Sequence, residues 1–192
     1  WLETVQNGTI ELGALTSVRG VYIPIDGTGT LAAVGGASAT ATITSLQHSR
    51  IEASNVAVDL SNVTNAFSTD FIINNVTVDL SHLASANQAS FNVTGADQDL
   101  SSLGSVTDGS FAINGSNVDL SNLADIDGTD FYIGGSVPVT LPSVTSVTNT
   151  SGDGVWQVTG SNTVLSFPNL TTVSNGTSAN QDFYIQALQG GR

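Results

Sequence analysis

The tripeptide Asp-Leu-Ser recurs at Asp59-Leu60-Ser61, Asp79-Leu80-Ser81, Asp99-Leu100-Ser101 and Asp119-Leu120-Ser121, in ungapped steps of 20 residues. Other apolar positions keep the same register: Val63, Leu83, Leu103 and Leu123; Phe71, Phe91, Phe111 and Phe131; Ile73, Val93, Ile113 and Ile133. A period of this length means that one short unit is laid down repeatedly, and that no unit can bury its apolar face alone. Val58-Asp59-Leu60 and Phe71-Ile72-Ile73 alternate inward apolar with outward residues, the period-2 pattern of a strand. Between them stand Ser, Thr, Asn, Gly and Asp, which form turns readily and helices poorly. The fold class read from this is all-β: a right-handed parallel β-solenoid (β-helix) with a repeat of about 20 residues. Successive coils stack about 4.8 Å apart around columns of Leu, Ile and Phe. Asn and Ser at aligned turns are expected to form hydrogen-bonded ladders of their own.

Looser copies flank the regular stretch. Downstream, Val139-Thr140-Leu141-Pro142-Ser143-Val144 precedes Trp156-Gln157-Val158, and Leu165-Ser166-Phe167-Pro168-Asn169-Leu170 precedes Phe183-Tyr184-Ile185. Trp156 takes the place of the repeat's Phe and is expected in the core, while 148–154 and 174–181 read as protruding loops. Upstream, Leu12, Leu15, Val18, Val21 and Ile23 fit the template, as do Leu31, Val34, Ala41 and Ile43. The whole chain, 1–192, then makes a single domain of about nine coils, most regular over 56–136. It is expected to be a segment of a longer chain.

Composition narrows the function classes. Sixteen carboxylates face three Arg (Arg19, Arg50, Arg192) and no Lys, for a net charge of −13. That balance gives no basic face for nucleic acid or for an anionic membrane surface. No apolar run reaches the length of a membrane-spanning helix, so no membrane insertion is expected. With no Cys and two His, His48 and His82, which share no register, zinc-finger, haem and iron–sulfur frameworks are excluded and no metal pair is expected. A surface of Ser, Thr, Asn and Gly with 10% charged residues suits an extracellular or cell-surface protein.

Leu120-Ser121-Asn122-Leu123-Ala124-Asp125-Ile126 followed by Phe131-Tyr132-Ile133-Gly134-Gly135 resembles the coils of right-handed parallel β-helices and of the L-domain-like solenoids of large surface proteins. The Asn of the leucine-rich-repeat signature is absent, so the resemblance does not imply a horseshoe with helices on its convex side. It implies the company of adhesins, stalks, matrix proteins and polysaccharide-active modules.

Four sets of residues bear on activity. Asp59, Asp79, Asp99 and Asp119 should point outward in one file, where neighbours repel by about 0.9 kcal/mol even in water. Either bridging Ca²⁺ offsets this, or each carboxylate accepts hydrogen bonds from the Ser two positions on. No calcium-binding nonapeptide is present. Tyr132 and Tyr184, as middle residues of Phe-x-Ile, should lie outward about 10 Å apart, two coils from one another. Tyr22 is read in the same phase, and together they form a candidate carbohydrate-stacking face; the plain alternative is that Tyr is a good strand residue. Asp125, Asp127 and Asp130, with Asp108 one coil earlier, are the candidate acid–base pair for a glycoside, but Gly109 and Gly128 mark turns there. Polysaccharide lyases on this scaffold need a basic residue, and the Arg residues lie far from the cluster.

Asn-x-Ser/Thr acceptors stand at Asn7, Asn62, Asn75, Asn92, Asn114, Asn149, Asn169 and Asn175, and matter if the source glycosylates secreted proteins. Thr40-Ala41-Thr42-Ile43-Thr44 reads as one strand with outward Thr, as on ice-binding solenoids, but does not recur. Near-identical coils suit extension better than a unique pocket. The expectation is therefore a non-enzymatic structural repeat (stalk, matrix, adhesin or filament segment), partnered by neighbouring coils or by itself. A carbohydrate-binding module for extracellular polysaccharide is the alternative, and a β-helix polysaccharide enzyme the remote one.

Overall fold

The computed structural model describes residues 1–150, 152–177 and 181–192. Parts of the two expected loops, residue 151 and residues 178–180, lie outside the described residues. The rest is all-β, and every strand pairing between named strands is parallel. The largest sheet has eight strands in unbroken chain order: Tyr22–Ile25, Arg50–Ser54, Asp70–Asn74, Ser90–Thr94, Ser110–Asn114, Asp130–Gly134, Gly154–Thr159 and Phe183–Leu188. Parallel neighbours in chain order need a full crossover between them. Two further faces supply it. Val58–Asp59 lies beside Val78–Asp79, and Gln98–Asp99 beside Val118–Asp119. Ser17–Arg19, Ser45–Gln47 and Asn65–Phe67 form a third, continued by single bridges from Asn65 through Ser85 and Ser105 to Asp125.

Register follows the 20-residue repeat. Phe71 pairs with Phe91, Phe91 with Phe111 and Phe111 with Phe131. Their buried rings stack with centroids 4.9, 5.0 and 5.3 Å apart and planes within 12°. These separations are close to the strand spacing, so the backbone ladder dictates a stacked geometry where free rings would also sample edge-to-face pairs. Trp156 continues the column opposite Phe131, edge-on to it, and its indole N–H donates to the Thr129 carbonyl at 3.0 Å. Val58, Leu60, Val63, Ala66, Phe71 and Ile73 all point inward, and their counterparts merge into one contiguous core from Val18 to Trp156.

Two columns of left-handed residues bracket each five-residue strand. Two positions before it stand His48, Ser68, Gln88, Asp108 and Gly128; one position after it stand Asn55, Asn75, Gly95, Gly115 and Gly135, all with φ between 48° and 80°. The second column uses Asn and Gly because other L-residues pay about 1–2 kcal/mol there. At Gly135 a side chain would also collide with the Gly115 amide nitrogen.

Where the repeat loosens, the structure departs from expectation. The long sheet holds eight strands, and residues 26–49, between its first two, add none to it: they carry Thr30–Ala33, paired with Thr9–Leu12, and Ser45–Gln47 on the third face. There Thr40–Thr42 is a 3-10 turn with Thr40 buried, so the outward-Thr strand does not form. Val34, read as apolar template, is 76% exposed. In the first and last coils the register moves by two residues. Ile23 and Ile25, not Val21 and Ile23, occupy the Phe and Ile columns, and Ile185 rather than Phe183 faces Trp156. Phe183 instead lies opposite Gly154, whose missing side chain makes room for its ring 4.9 Å from Trp156.

Candidate functional site

The long sheet is the largest of the sheets, and the chemistry of its outward face is set by which residues each coil places there. Around Tyr132 the neighbours in register are Ala112 on one side and Gln157 on the other, with Asn92 beyond Ala112. The small Ala112 leaves one flank of the phenol open, and Tyr132 remains 41% exposed. Asn92, Thr94, Asn114, Gln157 and Thr159 complete a shallow hollow of about 290 Å³. The ring is partly desolvated and lies near Asp130, both of which raise its hydroxyl above the ordinary 10.0, so the group is neutral and able to donate at neutral pH. An apolar ring among amides and hydroxyls can offer a sugar one stacking face and several hydrogen bonds.

The three tyrosines do not form one file. The two-residue register shift puts Tyr22 opposite Arg50 and Tyr184 opposite Val155, in the column of Asp70, Ser90, Ser110 and Asp130. Tyr22 and Tyr184 thus stand at opposite ends of the sheet, seven strand steps, about 34 Å, apart. Tyr184 is two strands from Tyr132 and one residue pair along, about 12 Å away rather than directly in line. Nor is Tyr22 a free stacking platform. Its hydroxyl donates to Glu52 at 2.8 Å, the Arg50 guanidinium sits 5.3 Å above its ring, and Trp1 lies 5.6 Å away. Arg50 also reaches Glu52 at 3.2 Å. Tyr184 donates to Asp182 at 3.0 Å, which, like the Glu52 bond at Tyr22, raises the phenol.

The aspartate column is in register, Asp59 beside Asp79 and Asp99 beside Asp119. Each carboxylate is turned toward its own chain. Asp59 accepts from the Ser61 amide at 3.0 Å and hydroxyl at 2.6 Å, Asp79 from the same groups of Ser81, and Asp99 and Asp119 from the amides of Ser101 and Ser121. The Ser61 and Ser101 hydroxyls first, and their amides second, hold the Asp59 and Asp99 carboxyls below the ordinary 3.8. Among the described residues, no three His, Asp or Glu groups come together in an arrangement that could hold a metal ion.

The second acidic group is likewise engaged with turns. Asp125 accepts from the Asp127 amide, Asp127 from the Thr148 amide at 2.6 Å, and Asp130 from the Val155 amide at 2.7 Å. Burial pushes the Asp130 carboxyl up. Asp108 accepts from the Thr150 hydroxyl. Of the glycosylation acceptors, Asn7, Asn62, Asn75, Asn92, Asn114, Asn169 and Asn175 are exposed. Asn149 is buried, its Nδ2 donating to the Gly152 carbonyl and to Asn175 Oδ1, which removes it as an acceptor in the folded chain.

Two arrangements escaped sequence reading in their particulars. The residue after Ser in each Asp-Leu-Ser unit donates to a carbonyl of the preceding coil: Asn62 to Ala41, His82 to Ser61, Ser102 to Ser81, Asn122 to Ser101. Ser143 to Ser121 and Asn169 to Pro142 extend the ladder. Because a carbonyl only accepts, Nδ1 of His82 carries the proton. The spacing was visible, but the donors differ in kind. Gln98, in the column of Val58, Val78 and Val118, is buried and substitutes for a missing rung: its Oε1 accepts from the Val78 amide and its Nε2 donates to the Val76 carbonyl.

Comparison with protein-family models, with curated proteins and with solved structures finds no match. No helix among the described residues is long and apolar enough to cross a membrane.

Proposed function

We propose that this chain is a non-enzymatic structural repeat of an extracellular or cell-surface protein, a right-handed β-solenoid with one coil for each strand of the long sheet. Right-handed crossovers are the rule for parallel strands joined within one sheet. What supports the structural role is a single observation: the polar groups that repeat from coil to coil serve the scaffold. The aspartate file, the Asn62-to-Asn169 donor ladder and Gln98 all bond to backbone groups of their own or the adjacent coil. A chain organised this way extends, spaces or assembles other parts.

Carbohydrate recognition is the second reading, favoured by Tyr132 alone, an exposed ring with a bare flank beside amides. A glycan array probed with the wild-type chain and with Tyr132→Ala separates the two. The structural reading expects no glycan retained above background by either protein. A polysaccharide bound by the wild type and lost by Tyr132→Ala would replace it with the binding reading.

A further inference from the structure

Asn92 and Thr94 stand on the outward face of one strand, Ser90–Thr94, with buried Val93 between them, so Asn-Val-Thr presents its amide and its hydroxyl on the same side. The next strand sets Ala112 beside Asn92, and the one after it sets Tyr132 beside Ala112. The amide and the phenol thus lie two strand steps, about 10 Å, apart, with only a methyl group between them. Asn92, Thr94, Ala112 and Tyr132 all line the shallow hollow of about 290 Å³. The other exposed acceptor amides are placed differently. Those of Asn62, Asn169 and Asn175 donate to the carbonyls of Ala41, Pro142 and Gln181 at 2.6, 2.7 and 2.6 Å. Asn75 and Asn114 lie against the next coil, where Gly95 and Gly135 make room for their Oδ1, and the hydroxyl of Ser116, the third residue of the Asn114 motif, is buried. Asn7 stands in a left-handed turn ahead of the regular coils. The Asn92 side chain is exposed and has no hydrogen-bond partner among the described residues.

We propose that Asn92 carries an N-linked glycan whose first sugar lies over Ala112 and stacks on Tyr132. In the transfer, Asn92 Nδ2 attacks the anomeric carbon of an N-acetylhexosamine activated as its lipid-linked pyrophosphate. The C1–Nδ2 bond forms as the C1–O bond breaks, the pyrophosphate leaves with the electron pair, and the transferase takes one amide proton. Nothing is oxidised or reduced. An amide with no duty in the scaffold is modified, so no ladder bond is lost. One pyranose ring hung from Nδ2 fills the gap that Ala112 leaves, and its apolar face meets the phenol. Asn114, Gln157 and Thr159 rim the seat with amides and a hydroxyl. Tethering decides the balance. A free sugar sets one stacked ring and a few hydrogen bonds against the full cost of association, whereas a sugar attached to Asn92 is already held at high effective concentration. The hollow therefore seats the chain's own sugar without retaining a free one. The inference rests on the proposed extracellular setting, which supplies the transferase, and it agrees with a glycan array that retains nothing.

Secretion of the full chain from a mammalian host, with peptide mapping after glycan release in isotope-labelled water, tests the site. Asn92 is expected to be occupied, and Thr94→Ala to lose that site alone. Melting curves of the secreted proteins, their glycans trimmed to the first sugar, test the seat. The wild type is expected to melt about 2–4 °C above Thr94→Ala, once the difference between the same two proteins made without glycans in a bacterial host is subtracted. With Tyr132→Ala added to both, that gain should vanish while Asn92 stays occupied. An unoccupied Asn92 would overturn the inference. So would an occupied Asn92 with no gain in melting temperature, or a gain that persists with Tyr132→Ala. None of these results alters the glycan-array outcome that tests the structural reading.

Discussion

Gln98 shows how one side chain can repair a backbone interruption. Where the other coils carry Val or make strand pairs, its amide inserts between Val76 and Val78 and satisfies a donor and an acceptor that would otherwise be buried without partners. Unsatisfied buried groups cost more than the bond itself is worth, about 1–3 kcal/mol each. Gln98→Ala is therefore expected to lose about 2–4 kcal/mol in urea unfolding, a larger effect than its volume alone would cause. A loss below 0.5 kcal/mol, near the scatter of surface substitutions, would mean that backbone or water takes over the role. The aspartates act at the same scale but through pH. Asp59 and Asp99 have carboxyls lowered by their Ser partners, so their contribution is complete above the ordinary 3.8 and is lost as pH falls through the lower folded value. The double variant Asp59→Asn/Asp99→Asn should show a shallower fall in melting temperature below pH 3.8 than the wild type; parallel curves would remove these turns from the account of acid stability.

At the scale of the strand and its turns, the two left-handed columns set where each five-residue strand begins and ends. Gly115 and Gly135 occupy one column with φ of 69° and 80°, yet their surroundings differ. A methyl at Gly115 meets nothing within 4 Å, so Gly115→Ala should cost only the conformational penalty, about 1 kcal/mol. Gly135→Ala adds a collision with the Gly115 backbone and should cost clearly more. Equal losses in thermal melts of the two would show that the coils relax apart easily.

This is also the scale at which the sequence was most and least readable. The strands over 50–134 were legible because apolar spacing and chain spacing coincide there: Phe71, Phe91, Phe111 and Phe131 are both 20 residues apart and stacked. The end coils were not, because period-2 alternation is unchanged by a slip of two residues. Val21-Tyr22-Ile23-Pro24-Ile25 offers two placements with the same faces inward, and in the one adopted Tyr22 meets Arg50 and Glu52 across the ladder. Phe183-Tyr184-Ile185 was misplaced for the same reason, with Gly154 as the deciding neighbour. The tyrosine site inherited that error, whereas the Asp-to-Ser bonds were readable because they are local.

For the whole molecule, the central claim is that the coils are equivalent layers of a one-dimensional stack, each held by its nearest neighbours. Their polar ladders and Phe column then matter as repeated links between neighbouring coils. Deleting Phe91 to Ser110 tests this most directly, since it removes one full repeat and joins Ser90 to Phe111, restoring every column in register. The account predicts that this shortened chain folds with strand-type circular dichroism and a single cooperative melt, at a modestly lower temperature. Deleting Phe91 to Leu100 instead breaks the register and should abolish that melt. A one-repeat deletion that unfolds as completely as the half-repeat deletion would contradict the stacked-layer account.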